Sequence, residues 1–412
     1  MAALADLMWK RSSTDQKCVG LFGLFGVGNF GNDGSLEAAL RLLRRVAPHE
    51  RLLCICGDPA VVEQAFGVEA VPIYYRRRHS TRVWKRVHKA AGKAILCIHV
   101  MRQVRRLRVL IVPGTGLLDD FGAWPLSWPY DLLNWFLLAR LMRVKVIFAS
   151  IGAGPIRHPV SRWLMKSAAR SAHYRSYRDF VSKSFMESIG FDTRNDGVYP
   201  DIAFGLPGPP SAVRERRKEG SLTVGLGVMA YRGWRNSARG AHIYNDYLKK
   251  ITDYAIWLLN DGHSVHILMG EESDSRAVHD LFQMVRGRLS ERAAALAFTP
   301  AATLQDVMEQ MALVDLVVAT RYHNVVCALR MRKPTISIGY AEKNDALLTE
   351  VGLGHFCQHV EDLDVELLKA QTMQLLAERV AVSRRICGVL ERFEGRLREQ
   401  ENILTSLICT TG

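Results

Sequence analysis

No Cys-x-x-Cys pair occurs in the chain, although it carries eight cysteines in 412 residues. Zinc ribbons and thioredoxin-type redox sites need that spacing, so the sequence argues against both. Cys54 and Cys56 sit in a strand-like apolar run, and Cys97, Cys327 and Cys357 are scattered among apolar neighbours. They read as free thiols in a reducing compartment. Long hydrophobic runs are lacking too. "LLNWFLLARLM", from Leu132 to Met142, is too short to cross a bilayer and contains Arg140. The first 17 residues lack the basic start, apolar middle and cleavage site of a secretory signal. The expected location is therefore the cytoplasm.

Acid is missing from one long stretch. Residues 76–108 hold 12 Lys and Arg and no Asp or Glu. The chain's net charge is +14, yet outside that stretch 43 bases face 41 acids. A one-sided cluster attracts polyanions. Trp84, Ile95, Leu96, Ile98 and Val100 interleave with the bases. That pattern suits an amphipathic segment on an anionic membrane, which would place the protein peripherally on the inner membrane face. A solvated helix pair accounts for the same residues. No zinc-finger or RNA-binding signature is present, so no nucleic-acid partner is expected.

Against these absences stands a regular alternation. Apolar strand-like runs at Cys18–Gly28, Arg51–Asp58, Val109–Gly116 and Val144–Pro155 are separated by helix-spaced segments such as "GSLEAALRLLRRV". Continuous apolar strands between helices predict a parallel sheet covered on both faces. "GLPGPPSAVRERRKEGS" breaks the pattern, and alternation restarts with "LTVGLGVMAYRGW", "SVHILMG", "LVDLVVAT" and "RKPTISIG". The expected fold is two Rossmann-like α/β domains facing a cleft. Residues 1–207 form the first, 208–220 a linker and 221–385 the second, with a helical tail over 386–412. Ligands in such sheets bind outside the carboxyl ends of the strands.

The turn after the first strand reads "FGVGNFGNDGSLEAAL". Gly26, Gly28 and Gly31 spell G-x-G-x-x-G, and Asp58 lies where it could take a ribose hydroxyl. Asp33, however, would repel a pyrophosphate at the helix start, and Asn29 and Asn32 crowd the turn. Such a turn suits sugar hydroxyls better than a dinucleotide. Asp33 acting only as a helix cap is the plainer alternative.

"VVATRYHN", from Val317 to Asn324, places Arg321 and His323 two apart where a strand should end and a helix begin. A cation, an imidazole and free helix N–H groups make an anion site. "MAYRGW" puts Arg232 at another strand end of the same domain. Arg321 pairing with Asp315 or Asp345 is the structural alternative. His158 and Asp119, just past strand ends, could face an acceptor or be ordinary loop residues. No metal-ligand cluster is apparent, and no metal or cofactor is expected.

Several segments together resemble the polysaccharide pyruvyl transferase family. "GNFGNDGSLEAAL" is similar to its N-terminal G-N-x-G-D-[DE]-x-x-L signature, with Asn32 at the commoner acid's place. "VPGTGLLDD" is similar to its G-G-G-x-L segment, with Thr115 for the middle glycine. "YRSYRDFVSKSFMESIGF", "YPDIAF" and the R-x-H and Y-x-x-K region of Val314–Leu353 follow in the family's order. The resemblance covers about residues 18–355. It implies transfer of the carboxyethylidene unit of phosphoenolpyruvate, a co-substrate, onto two hydroxyls of a sugar. The product is a cyclic ketal on a polysaccharide or lipid-linked oligosaccharide. It further implies that Arg232, Arg321, Tyr322, His323 and Lys343 contact the donor. His323 is the candidate proton donor, since an imidazole's usual pKa of about 6.5 suits proton transfer near neutrality. Gly28, Asn29, Gly31, Asn32, Asp33, Gly114, Thr115 and Gly116 would face the acceptor, with Asp33 a candidate base. Lys343 as a solvated helix-start residue is the bland alternative. Glu342 and Glu350 form the E-x7-E of nucleotide-sugar glycosyltransferases of the GT-B shape, a rival reading. A third is a non-catalytic membrane-surface protein.

Overall fold

The computed structural model describes residues 17–74, 85–209, 221–233, 239–289 and 292–409. Most of the interval assigned as a linker, and residues 76–84 of the basic stretch, therefore lie outside the described residues.

The first half alternates strands β1 (Cys18–Phe22), β2 (Leu52–Cys56), β3 (Glu69–Pro72), β4 (Leu107–Pro113), β5 (Lys145–Ile151), β6 (Tyr174–Tyr177) and β7 (Gly197–Val198) with helices. Those helices are α1 (Phe30–Val46), α2 (Pro59–Phe66), α3 (Lys85–Val104), α4 (Trp128–Leu141), α5 (Pro159–Arg170) and α6 (Phe180–Ser188). The strands form one seven-stranded sheet in the order β3-β2-β1-β4-β5-β6-β7, with parallel neighbours throughout. β1 is buried along its whole length, as an apolar strand covered on both faces must be. Helices α3, α4 and α5 pack on one face of this sheet, α1 on the other.

The second half contributes β8 (Thr223–Gly227), β9 (Ser264–Leu268), β10 (Leu296–Phe298), β11 (Leu316–Ala319), β12 (Thr335–Gly339) and β13 (Cys357–His359). They form a parallel six-stranded sheet ordered β10-β9-β8-β11-β12-β13. Its helices are α7 (Gly240–Asn260), α8 (Ser275–Arg288), α9 (Leu304–Ala312), α10 (Tyr322–Arg330), α11 (Glu342–Glu350) and α12 (Val365–Ala377). Each sheet reverses its strand order once, at β1/β4 and at β8/β11. Those switch points open crevices at the strands' carboxyl ends.

Polar caps start many of the helices. Asp58 accepts from Ala60 and Val61 N–H at α2, so its carboxylate is engaged as a cap. Thr303 and Asp306 form a reciprocal capping box at α9. At α1 the cap is Asn29, which accepts from Asn32 N–H at 3.1 Å. The helix therefore begins at Phe30, ahead of Gly34, and Gly31 lies inside its first turn. Asp33 is not the cap.

The helical tail begins at Arg379, not 386, and runs to Cys409 as α13. Val382, Ile386, Val389 and Phe393 belong to the second domain's core, while Leu404 and Ile408 belong to the first domain's. Gln400 donates to Ser150 Oγ and Ser176 Oγ, both at 2.9 Å. Lys145 Nζ reaches Leu407 O at 2.7 Å. One helix thus clamps both sheets. Phe30 crosses the other way, from α1 into the second domain's core.

Candidate active site between the two sheets

The two switch points face each other. Gly114–Gly116 follows β4 and Asp119 lies just beyond, while Arg232 follows β8 and Arg321 follows β11. Between them lies a cavity of about 1260 Å³. Gly116, Asp119, Phe121, Arg178 and Phe180 line it from the first domain. Arg232, Arg321, Tyr340 and Lys343 line it from the second.

The cations differ in how fully they are engaged. Arg321 grips buried Asp274 through two contacts, Nε–Oδ2 at 3.0 Å and Nη2–Oδ1 at 2.6 Å. The same Nη2 also reaches Glu271 at 2.8 Å. Its acidic partners are thus Asp274 and Glu271, not Asp315 or Asp345. Asp315 instead accepts from Thr223 N–H at 2.9 Å. Arg232 lies over the Tyr244 ring, 4.8 Å from its centroid. Lys343 Nζ contacts Tyr340 Oη at 3.3 Å, and its charge holds that phenol below the usual tyrosine range. Neither Arg232 nor Lys343 pairs with a carboxylate among the described residues. Those two positive charges remain available to an anion.

Asp119 lines the cavity as a largely buried carboxyl. Burial pushes its carboxyl up to about 7, against the pull of Phe121 N–H at 2.7 Å and of the Lys343 charge. Phe121 and Phe180 are more than half exposed beside it, offering apolar faces to a sugar ring.

Other candidates lie behind the wall. The ring of His323 packs against Gly31, and its Nε2 faces fully buried Asp201 at 3.6 Å. Tyr322 is buried, with the Arg178 guanidinium 4.3 Å from its ring centroid. Neither residue lines the cavity. The glycine turn also stays outside it. Gly28 O accepts from Glu272 N–H at 2.9 Å, and Asn29 Nδ2 reaches Glu271 at 3.2 Å. Asn32 Nδ2 donates to Leu24 O, and Asp33 accepts from Gly26 N–H at 2.8 Å. Burial raises the Asp33 carboxyl to about 6. The turn's side chains therefore close the turn itself and join it to the second domain. Gly114 sits at φ +56° against Ile202 and Ser35, a position that favours glycine, and Thr115 is buried. Of that segment, Gly116 alone reaches the cavity. His158 caps α5 by accepting from Val160 N–H. Glu342 lines the cavity, whereas Glu350 lies at the far end of α11, 3.9 Å from Arg396.

The sequence profile of the polysaccharide pyruvyl transferase family matches residues 29–342. The chain belongs to this family. No curated protein matches the chain in sequence. Solved structures share its fold at low identity. An Anabaena protein, HepE, solved with UDP and glucose, is 11% identical with a TM-score of 0.57, covering 96% of this chain and 100% of its own. A putative UDP-N-acetylglucosamine 2-epimerase of Listeria monocytogenes is 11% identical with a TM-score of 0.58, covering 90% and 91%. The UDP-GlcNAc 2-epimerase of Methanocaldococcus jannaschii is 11% identical with a TM-score of 0.56, covering 87% and 92%. The fold is the two-domain GT-B arrangement.

In this chain, motifs far apart in sequence converge behind the cavity wall. Arg178, from the "YRDF" segment, reaches both Asp179 at 3.3 Å and Asp201, from "YPDIAF", at 3.6 Å. Asp201 faces His323 in turn. Burial works against the charge on Asp201, yet His323 and Arg178 hold its carboxyl below the usual range. Sequence reasoning quoted both segments but did not single out Arg178 or Asp201. The arginine–aspartate pair followed by a second aspartate was the signal. The buried partner of Arg321, Asp274, carried none. Among the described residues no cluster of His, Cys, Asp or Glu could hold a metal ion, and no helix is long and apolar enough to cross a membrane.

Proposed function

We propose that the chain transfers the pyruvate unit of phosphoenolpyruvate onto two hydroxyls of a glycan acceptor. The observation that carries this reading is the pairing of two uncommitted cations, Arg232 and Lys343, with Asp119 across one cavity. The chain's membership of the pyruvyl transferase family supplies the reaction class. Arg232 and Lys343 would hold the donor's phosphate and carboxylate, with Arg321 beside them. Charge-assisted contacts of this kind stabilise the departing phosphate as its charge develops.

The reaction must deliver one proton to the donor's methylene carbon. That protonation makes the adjacent carbon electrophilic. One acceptor hydroxyl attacks it, phosphate leaves with the carbon–oxygen bonding pair, and the second hydroxyl closes the ketal. Of the two hydroxyl protons released, one balances the new methyl group and the other leaves as hydrogen phosphate. Asp119, whose carboxyl burial raises to about 7, can give a proton near neutral pH and take one back. His323, expected from its imidazole to give that proton, is the second candidate, from its place against Gly31 and Asp201. Phe121 and Phe180 would receive the acceptor sugar.

A glycosyltransfer reading has two supports: Glu342 in the cavity, and the UDP bound by the structurally similar HepE. One experiment separates the readings. Calorimetric titrations with phosphoenolpyruvate and with UDP are followed by phosphate release with a sugar acceptor. Binding of phosphoenolpyruvate and acceptor-dependent phosphate release are expected. Tight UDP binding with neither would overturn the proposal.

A further inference from the structure

The outer layer of the first domain has one unusual surface. Between Asp131 and Asp179 the chain contains nine Lys and Arg and no acid. That segment includes most of α4 and all of α5, which pack against each other over one face of the sheet. Both turn apolar sides inward: Leu132, Trp135 and Phe136 from α4, and Met165, Ala168 and Ala169 from α5. Yet their outward sides are not uniformly polar. Leu137 and Leu141, one turn apart on α4, are 42% and 69% exposed, and Val160 and Trp163 on α5 are 46% and 59% exposed. Trp124, in the loop leading to α4, is 65% exposed and meets the ring of His158 at the start of α5. Arg140, Arg143, Arg162 and Arg170 are exposed among them. None of these four pairs with a carboxylate among the described residues.

We infer that this α4–α5 face docks the protein onto an anionic phospholipid surface. Beyond Asp131, in the first turn of α4, the charge on the two packed helices is of one sign, so it complements an anionic leaflet. Exposed tryptophans beside arginines match the amphipathic depth of the headgroup region, where an indole buries its ring and keeps its N–H hydrated. A nucleic-acid partner would be drawn by the same charge but gains little from Leu137, Leu141 and Val160. The basic helix α3 packs beside α4, with Lys93 Nζ 3.9 Å from the Tyr130 ring centroid, so the positive surface continues there.

The placement also bears on the cavity. Phe121 and Arg157, near Trp124 and at the approach to α5, line its mouth. A glycan carried on a membrane lipid would thus meet the cavity at the edge of the docked face. That last step rests on the proposed reaction; the docking itself does not.

The test is sedimentation of the full chain with vesicles of phosphatidylcholine alone and with phosphatidylglycerol added. Binding to the anionic vesicles, weakening as salt rises, is expected. Trp124→Glu combined with Trp163→Glu should lower it by about tenfold or more, as should Arg140→Glu with Arg162→Glu. Trp163→Phe should retain most of it. Unchanged melting temperature and unchanged affinity for phosphoenolpyruvate or UDP, whichever ligand the wild type takes, separate lost docking from lost folding. Three results would overturn the inference. They are equal binding to neutral vesicles, binding insensitive to these substitutions but lost with Arg76→Ser, Arg77→Ser and Arg78→Ser, and tighter binding to RNA than to anionic vesicles. A dimer that the tryptophan variant converts to monomer would equally overturn it, because a second copy would then cover the face.

Discussion

Gly31 and His323 share one contact: a Cβ built on Gly31 would lie 1.9 Å from His323 Nδ1. A glycine in the first turn of α1 therefore sets how closely the two domains approach. The glycine is needed for space, not for its backbone angles.

Gly31→Ala should force the imidazole or the domains apart. An overpacked contact costs roughly 1–3 kcal/mol, visible as a lower melting temperature together with reduced turnover. In a His323→Ala background the same substitution should cost little, because the obstructing ring is gone. A double-mutant cycle read by thermal unfolding checks this, with a coupling of about 0.5–3 kcal/mol expected for groups in contact. Additive effects would mean that the two residues do not constrain each other.

Arg232→Ala and Lys343→Ala should each weaken phosphoenolpyruvate binding by roughly 1.5–3 kcal/mol, the range for hydrogen bonds to charged groups, with little change in stability. Arg321→Ala should behave differently. It strands buried Asp274 and should destabilise the fold by about 3–5 kcal/mol, as breaking a buried ion pair does. Arg321→Lys should recover only part, since an ammonium cannot reproduce the two-point grip on Asp274. Calorimetry and thermal unfolding on the same samples distinguish the two classes of cation.

Asp119→Asn should lower turnover by about 10²–10⁴-fold, the usual contribution of a general acid, while donor affinity stays within a few-fold. His323→Ala is the matched comparison. If it costs as much and Asp119→Asn costs nothing, the proton comes from the imidazole, and the cavity observed here must rearrange before chemistry.

Turnover should also depend on pH through Asp119. Its folded carboxyl titrates near 7 because burial disfavours the charge. The protonated donor is present below that value, so the rate should fall as pH rises through about 7. The same sign holds for stability. A carboxyl raised by burial contributes below its unfolded pKa, and the contribution is lost as pH rises through the folded one. Removing the Lys343 charge, which favours ionised Asp119, should move the alkaline limb to higher pH. A pH–rate profile of wild type and Lys343→Met measures the shift.

Much of the fold was legible because buried parallel strands leave continuous apolar runs. β1, β2 and β5 fell within the expected segments, as did β8, β9, β11 and β12, and β4 began two residues before its own. The short strands β3, β6, β7, β10 and β13 were not legible. They lie toward the sheet edges and are two to four residues long, too short to leave an apolar run, and β3, β6 and β13 also mix in charged or polar residues such as Glu69, Arg175 and Gln358. At the site, strand ends pointed to Arg232 and Arg321, and both side chains line the cavity. The roles of Asn29, Asn32 and Asp33 were not readable, because polar side chains that close a turn look the same as ones that bind sugar. The Arg178–Asp201–His323 arrangement brings residues more than a hundred positions apart together, which no local pattern encodes. Asp119 was visible as a residue near a strand end, but its raised pKa comes from burial.

Helix α13 gives the assembly order of the protein a particular constraint. Ser150, at the end of β5, finds its partner Gln400 some 250 residues downstream. During synthesis the first sheet can therefore pair its strands early, but one flank of it stays uncovered until α13 has left the ribosome. For that interval the core that Leu404 and Ile408 complete is open on their side, so the nascent first half is the species most exposed to aggregation and to capture by chaperones.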